Sequence, residues 1–280
     1  MGGKGAIAFG IVCSIAGLVI CGVSARKAYD DYKNMDKYYS GHMELKDSSK
    51  IKVSCGAGNV TVHHSDTTTS YVDYTIADYY KFNYDEENGE ISLEKKWRFW
   101  FMFDFANKNT MDVYLTDKDY DAYFKVSAGK FNVEGDYTFN SLTVEVSAGD
   151  FNFNGNATVN ENALFKVSAG DLNMKGNVNV AKKAELKVSA GDLNVNYVEA
   201  DNVFTKISAG DIKCKVKSSD IEFDISAGDL VMDIVGKEED YSISIDKSAG
   251  SCNVNGRTGG SKRLDGDISA GKATIHFVNE

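Results

Sequence analysis

The chain is organised by strict apolar–polar alternation, interrupted at near-constant intervals by a run of small residues. Ser-Ala-Gly recurs at Ser127, Ser147, Ser168, Ser189, Ser208, Ser226, Ser248 and Ser269, with intervals of 20, 21, 21, 19, 18, 22 and 21 residues. Aligned on the glycine, apolar residues stand two and four positions later: Phe131 and Val133, Phe151 and Phe153, Leu172 and Met174, Leu193 and Val195, Ile212 and Cys214, Leu230 and Met232, Cys252 and Val254. Three positions before it come Val126, Val146, Val167, Val188, Ile207, Ile225 and Ile268, and Lys247 breaks that column. A period of two is the signature of a half-buried strand. The glycine sits where the alternation changes phase, so a residue without Cβ marks a corner. A second glycine six residues on (Gly135, Gly155, Gly176, Gly256) marks the next bend. A unit of ~20 residues cannot bury its own apolar face, but a stack of such units can, with coils ~4.8 Å apart. The pattern predicts an all-β fold, a parallel β-helix or β-solenoid, right-handed by crossover chirality. A degenerate copy at Gly56-Ala57-Gly58, followed by Asn59-Val60-Thr61-Val62, places the start of the solenoid near residue 51. Residues 51–124 read as irregular, aromatic-rich coils and 125–280 as regular repeats.

The N-terminal pattern is different. Ala6 to Val23 is an uncharged apolar run of 18 residues, the lower limit of what spans a bilayer. Residues 1–5 form a short tail, 6–24 a transmembrane helix and 25–50 a polar, Tyr-rich stalk without a sustained apolar face. Val23-Ser24-Ala25 also has the spacing of a signal-peptidase site, which leaves a cleaved leader as the alternative to a retained anchor. Arg26, Lys27, Lys33 and Lys37 come after the run and only Lys4 precedes it, so the positive-inside rule points the body to the cytoplasm. A five-residue tail before an apolar run is, conversely, the layout of a signal anchor that exports the body behind it. The expectation is a single-pass protein of the cell membrane with an extracytoplasmic solenoid, the cytoplasmic face being the alternative. Small residues on one side of the helix (Ala6, Gly10, Ser14) would allow helix pairing.

Composition narrows the function. A formal charge of −10 argues against a nucleic-acid partner. Proline is absent, which suits a chain whose residues nearly all donate into a strand ladder. The five cysteines form no CxxC or Cys/His cluster, so no zinc site or disulfide framework is readable.

The repeats VSAGKFNV, VSAGDFNF, VSAGDLNM, VSAGDLNV, ISAGDIKC and ISAGDLVM, behind an N-terminal anchor, resemble the bacterial "putative adhesin" family of β-strand-repeat proteins, a domain of unknown function. The resemblance covers about residues 51–280. It implies a β-solenoid on the cell envelope, and it brings no activity and no catalytic residues.

Three features stand out as candidate sites. Asp150, Asp171, Asp192, Asp211 and Asp229 come directly after the corner glycine in five successive repeats. Stacked at strand spacing they form either a row of cation sites or a column of corner caps, neutralised in part by Lys166, Lys187 and Lys206. Calcium-binding β-rolls use a nine-residue period that is absent here, so the structural reading is preferred. Asn132, Asn152, Asn173 and Asn194 form a second column suited to an amide ladder. The segment Trp97 to Phe105 puts Trp97, Phe99, Phe101, Phe103 and Phe105 on one face and Trp100 and Met102 on the other. It reads either as a cap of the solenoid or as a partner or membrane-contact patch at Trp97, Trp100 and Met102. Cys214 and Cys252 fall on inward columns of non-adjacent coils. His63 and His64 point to opposite faces and cannot share a metal. No catalytic, cofactor or metal constellation emerges, and a carbohydrate-active enzyme lacks its acid/base pair. The expectation is a non-catalytic, adhesin-like envelope protein that contacts another envelope protein or the cell wall. An accessory or sensor subunit for envelope stress is the alternative.

Overall fold

A computed structural model describes residues 37–96 and 108–279. The tail, the apolar segment 6–24, most of the first half of the stalk, and Trp97, Trp100 and Met102 lie outside the described residues. No helix among the described residues is long and apolar enough to cross a membrane.

Twenty strands join in one hydrogen-bonded sheet: β1 (Tyr38–Glu44), β2 (Lys50–Cys55), β3 (Asn59–His64), β4 (Tyr71–Ala77), β5 (Tyr80–Asp85), β6 (Glu90–Lys95), β7 (Thr110–Leu115), β8 (Tyr120–Val126), β9 (Lys130–Glu134), β10 (Tyr137–Asn154), β11 (Ala157–Val159), β12 (Ala163–Val188), β13 (Asp192–Ile207), β14 (Asp211–Lys217), β15 (Asp220–Ile225), β16 (Asp229–Val235), β17 (Tyr241–Lys247), β18 (Ser251–Cys252), β19 (Lys262–Ile268) and β20 (Lys272–Val278). The regular coils pair in parallel and in register, Phe131 with Phe151, Phe151 with Leu172, Leu172 with Leu193 and Leu193 with Ile212. These inward residues are buried, and Phe124, Phe131 and Phe151 meet ring to ring at 5.2–6.3 Å. The core is therefore a set of apolar columns along the stack. The solenoid expected from the repeat is the architecture found.

The corner works as the glycine column requires. Backbone hydrogen bonds continue through it, Ala190 N–H donating to Ser168 O at 2.9 Å and Ala209 N–H to Ser189 O at 2.8 Å. A Cβ on Gly170 (φ +121°) would overlap the carbonyl oxygen of Gly149 and stand 2.7 Å from its nitrogen. Only glycine allows coils to approach this closely at a bend of this conformation.

Successive coils also shorten. One residue is lost between Met174/Asn177 and Val195/Tyr197, and another between Val195/Val198 and Cys214/Val216. A third residue is lost between Val180/Lys183 and Ala200/Asn202. The first two losses fall at the second corner, so the step where Gly176 turns the chain disappears and β14 and β16 run straight through it.

Stacking order departs from chain order at both ends. β19 lies between β15 and β17, and β20 between β16 and β18. The last coil is therefore inserted beneath the one that precedes it. At the other end β2 lies between β8 and β6, and β3 between β9 and β7. The first coil thus stacks directly on the regular repeats, and the excursion from β4 to β7 supplies the outer layer. There β1–β4, β4–β7 and β5–β6 are antiparallel.

The stalk expected over 25–50 is partly β-structure, because Tyr38–Glu44 pairs along its length with β4. An edge strand needs no apolar face of its own, since backbone pairing holds it. Gly41 leaves room for the ring of Tyr74 opposite it.

Candidate functional site

The outward side chains form columns that run along the stack. The predicted aspartate row is assembled: Asp150, Asp171, Asp192, Asp211 and Asp229 occupy one column in neighbouring coils. Lys130 precedes it and Lys272 comes after it in the same register. A capping bond is seen where Asp211 Oδ1 accepts the Asp229 N–H at 3.1 Å, so the cap reaches into the next coil rather than its own corner. The lysines expected to neutralise the row serve other carboxylates. Lys166 approaches Glu145 at 3.7 Å, Lys187 pairs with Glu185, and Lys206 meets Asp224 at 2.5 Å. These lysines lie before the corner and the aspartates after it, so the bend turns the two columns onto different faces. No group of three His, Cys, Asp or Glu side chains among the described residues is placed to hold a metal ion.

The asparagine column is a hydrogen-bonded ladder. Asn152 donates to Asn132 and Asn173 to Asn152, each at 3.4 Å, and Asn194 donates to Asn173 at 3.1 Å. The ladder ends there, because Lys213 takes the next place.

Each of the four histidines pairs with an aspartate: His42 with Asp73 at 2.6 Å, His63 with Asp112 at 3.2 Å, His64 with Asp117 at 2.9 Å and His276 with Asp233 at 3.0 Å. His64 stacks on Tyr137 with centroids 4.2 Å apart, and its Nε2 lies 2.6 Å from the Asp136 carbonyl oxygen. Both ring nitrogens of His64 thus face acceptor oxygens. The adjoining cleft, about 260 Å³, is lined by Asp117, Lys118, Asp119 and Asp136. The Asn156 backbone and side-chain amides hold Asp136 below the usual carboxylate range.

Among the described residues Arg263 is the densest ionic node, reaching Asp220 at 2.6 Å, Asp265 at 2.7 Å and Glu222 at 3.7 Å. Hydrogen bonding to Asp220 raises its pKa. Elsewhere the Tyr123 hydroxyl donates to Glu145 at 2.7 Å, and burial together with that bond pushes its pKa up to about 12. Burial likewise pushes the Cys55 and Cys214 thiols up to about 12, as expected of core residues.

Sequence reasoning missed the Arg263 node and the His276–Asp233 pair. Aligned on Gly, Asp220 and Arg263 share a column, as do Asp233 and His276. The alignment therefore held the signal, but chain order set another coil between them. The partners of His42, His63 and His64 lie outside the regular repeats, and no alignment brings them together.

Comparison with known proteins places this arrangement. Residues 48–280 match the model of the family described as Toastrack DUF4097. No curated protein matches the chain. Among solved structures it is similar to a "putative adhesin" from Bacteroides fragilis, with 14% identity, 87% of this chain and 98% of that one covered, and a TM-score of 0.54. It is also similar to a "putative lipid binding protein" from Parabacteroides distasonis, with 14% identity, 87% and 97% covered, and a TM-score of 0.52. At such identities the likeness is one of fold.

Proposed function

Because the chain belongs to the Toastrack family, we propose that it is a non-catalytic, adhesin-like interaction protein of the cell envelope, held to the membrane by its segment 6–24 with the solenoid outside. The observation that carries this reading is the organisation of the outward face. Asparagines, aspartates and paired charges repeat at strand spacing across successive coils, which gives an extended, regular surface suited to a partner that is itself extended. The two solved structures of like fold, described as a "putative adhesin" and a "putative lipid binding protein", support a surface role. The apolar run before the body supplies the anchor.

The test is protease treatment of intact cells or protoplasts. Digestion of the body without lysis is the expected result. Protection until lysis would place it on the cytoplasmic side, in agreement with Arg26 and Lys27, and would reject the adhesin-like reading.

A further inference from the structure

A groove of about 480 Å³ crosses the solenoid where the coils shorten. Its lining comes from four neighbouring coils of β12, β13, β14 and β16, so at strand spacing it runs about 14 Å along the stack. Met174, Val195 and Cys214 are buried beneath it. Lys175, Lys213 and Lys215 rise around it. Lys175, Asn196 and Lys215 each come directly after a registered residue (Met174, Val195 and Cys214), so Lys175 and Lys215 are rooted about 10 Å apart with Asn196 between. Lys213 and Lys215 alternate along β14, about 7 Å apart on one face.

None of the three lysines forms an ion pair with a described residue. Asp233, directly opposite Lys215, is engaged by His276 at 3.0 Å. Asp211, two residues from Lys213, accepts the Asp229 amide. The asparagine ladder also opens into this groove: Asn194 donates to Asn173, and the next place in the column is taken by Lys213, which breaks the run of amides. Three cations without an ion pair and the amides of Asn194 and Asn196, set together on the outward strand surface, are the features of a site for a polar, anionic ligand. Its borders limit the charge density that fits. Asp211 flanks Lys213 along β14, Asp192 stands beside Asp211 in the neighbouring coil and Asp233 closes the far side, so a run of adjacent anions is repelled.

We infer that this groove binds an acidic glycan segment of about three sugar units, one anionic group (carboxylate or phosphate) set among Lys175, Lys213 and Lys215, with hydroxyl-bearing neutral units over Asn194 and Asn196. The site requires only the solenoid, so it stands whichever side of the membrane the body occupies.

The test measures binding of labelled trisaccharides to the full-length protein in detergent micelles. The probes carry a central uronic acid, a central sugar phosphate, the same uronic acid reduced to the alcohol, or three uronic acids. Binding of either singly charged probe, at least tenfold tighter than the reduced one, is expected, and the tighter of the two identifies the anion. Lys213→Gln/Lys215→Gln should erase that preference with an unchanged melting temperature, while Lys247→Gln retains it. Equal binding of the reduced probe, preference for the triply charged probe, full binding by the double variant, or no binding of any probe at millimolar concentration would each overturn the proposal.

Discussion

The carboxamide of Asn253 completes the sheet at Ile275: Nδ2 donates to the Ile275 carbonyl oxygen and Oδ1 accepts the Ile275 N–H, each at 2.7 Å. β18 stops at Cys252, so the side chain takes the place of the next strand residue. Asn253→Ala leaves both Ile275 groups without these partners, at a cost of about 1–3 kcal/mol. Chemical denaturation should show a lower midpoint with an unchanged slope. An unaltered midpoint would mean that water replaces the amide at no cost.

Gly170 and Gly259 separate steric contact from backbone conformation. Both have positive φ, +121° and +102°, but a Cβ on Gly259 meets nothing within 4 Å whereas one on Gly170 runs into Gly149. Gly259→Ala should cost about 1–2 kcal/mol, and Gly170→Ala roughly 3 kcal/mol or more as the coils are forced apart. Comparable losses in a thermal melt would contradict the close-approach account of the Ser-Ala-Gly repeat.

Asp192 stands between Asp171 and Asp211 in a column of like charge. Asp192→Asn should stabilise the protein by about 0.2–1 kcal/mol, with the gain shrinking as salt is added. A lower melting temperature in the variant, together with a calcium-dependent rise seen in the wild type and absent from the variant, would identify the row as a cation site instead.

Alkaline stability should carry a Tyr123 component. Its folded pKa, about 12, lies above the ordinary 10.0, so its contribution is complete below pH ~10 and is lost as the pH rises towards 12, where the unfolded chain ionises first. Tyr137 and Tyr241 are also raised, so the readout is the difference in slope between wild type and Tyr123→Phe over that window. Parallel slopes would show that burial and Glu145 leave this phenol unperturbed.

Thiol reactivity should track burial. In a Cys13→Ser/Cys21→Ser background, a maleimide at neutral pH should modify Cys252, which is half-buried, well before Cys55 and Cys214. The latter two need an opening of the stack to react. Equal rates for all three would indicate looser packing around Cys55 and Cys214.

The solenoid was legible because its signal is local: Phe151 and Phe153 after Gly149 repeat as Leu172 and Met174 after Gly170, and the strand period is in the letters. The asparagine ladder emerges from the same alignment, since Asn152 and Asn173 occupy one column. What an alignment on Gly cannot supply is stacking order. It assigns Arg263 and Asp220 the same column yet gives no reason for their coils to touch, because the intervening coil passes to the outside through pairings between distant segments. Tyr38–Glu44 was illegible for a related reason. Its place is fixed by the backbone of β4 and by the ring of Tyr74 over Gly41, and neither leaves an apolar mark on the strand itself.

The inserted coils at the two ends bear on how the molecule meets mechanical load. In a stack wound in chain order, tension on a terminus peels off the outermost turn one bond at a time. Here a pull at Val278 acts on β20, which is gripped by β16 on one side, over its whole length, and by β18 on the other. A pull from the opposite direction strips β1 and then meets β2, held between β6 and β8. Past the edge strand β1, each end thus presents a strand flanked on both sides over at least part of its length, so a rod built this way resists unzipping more than one wound in chain order.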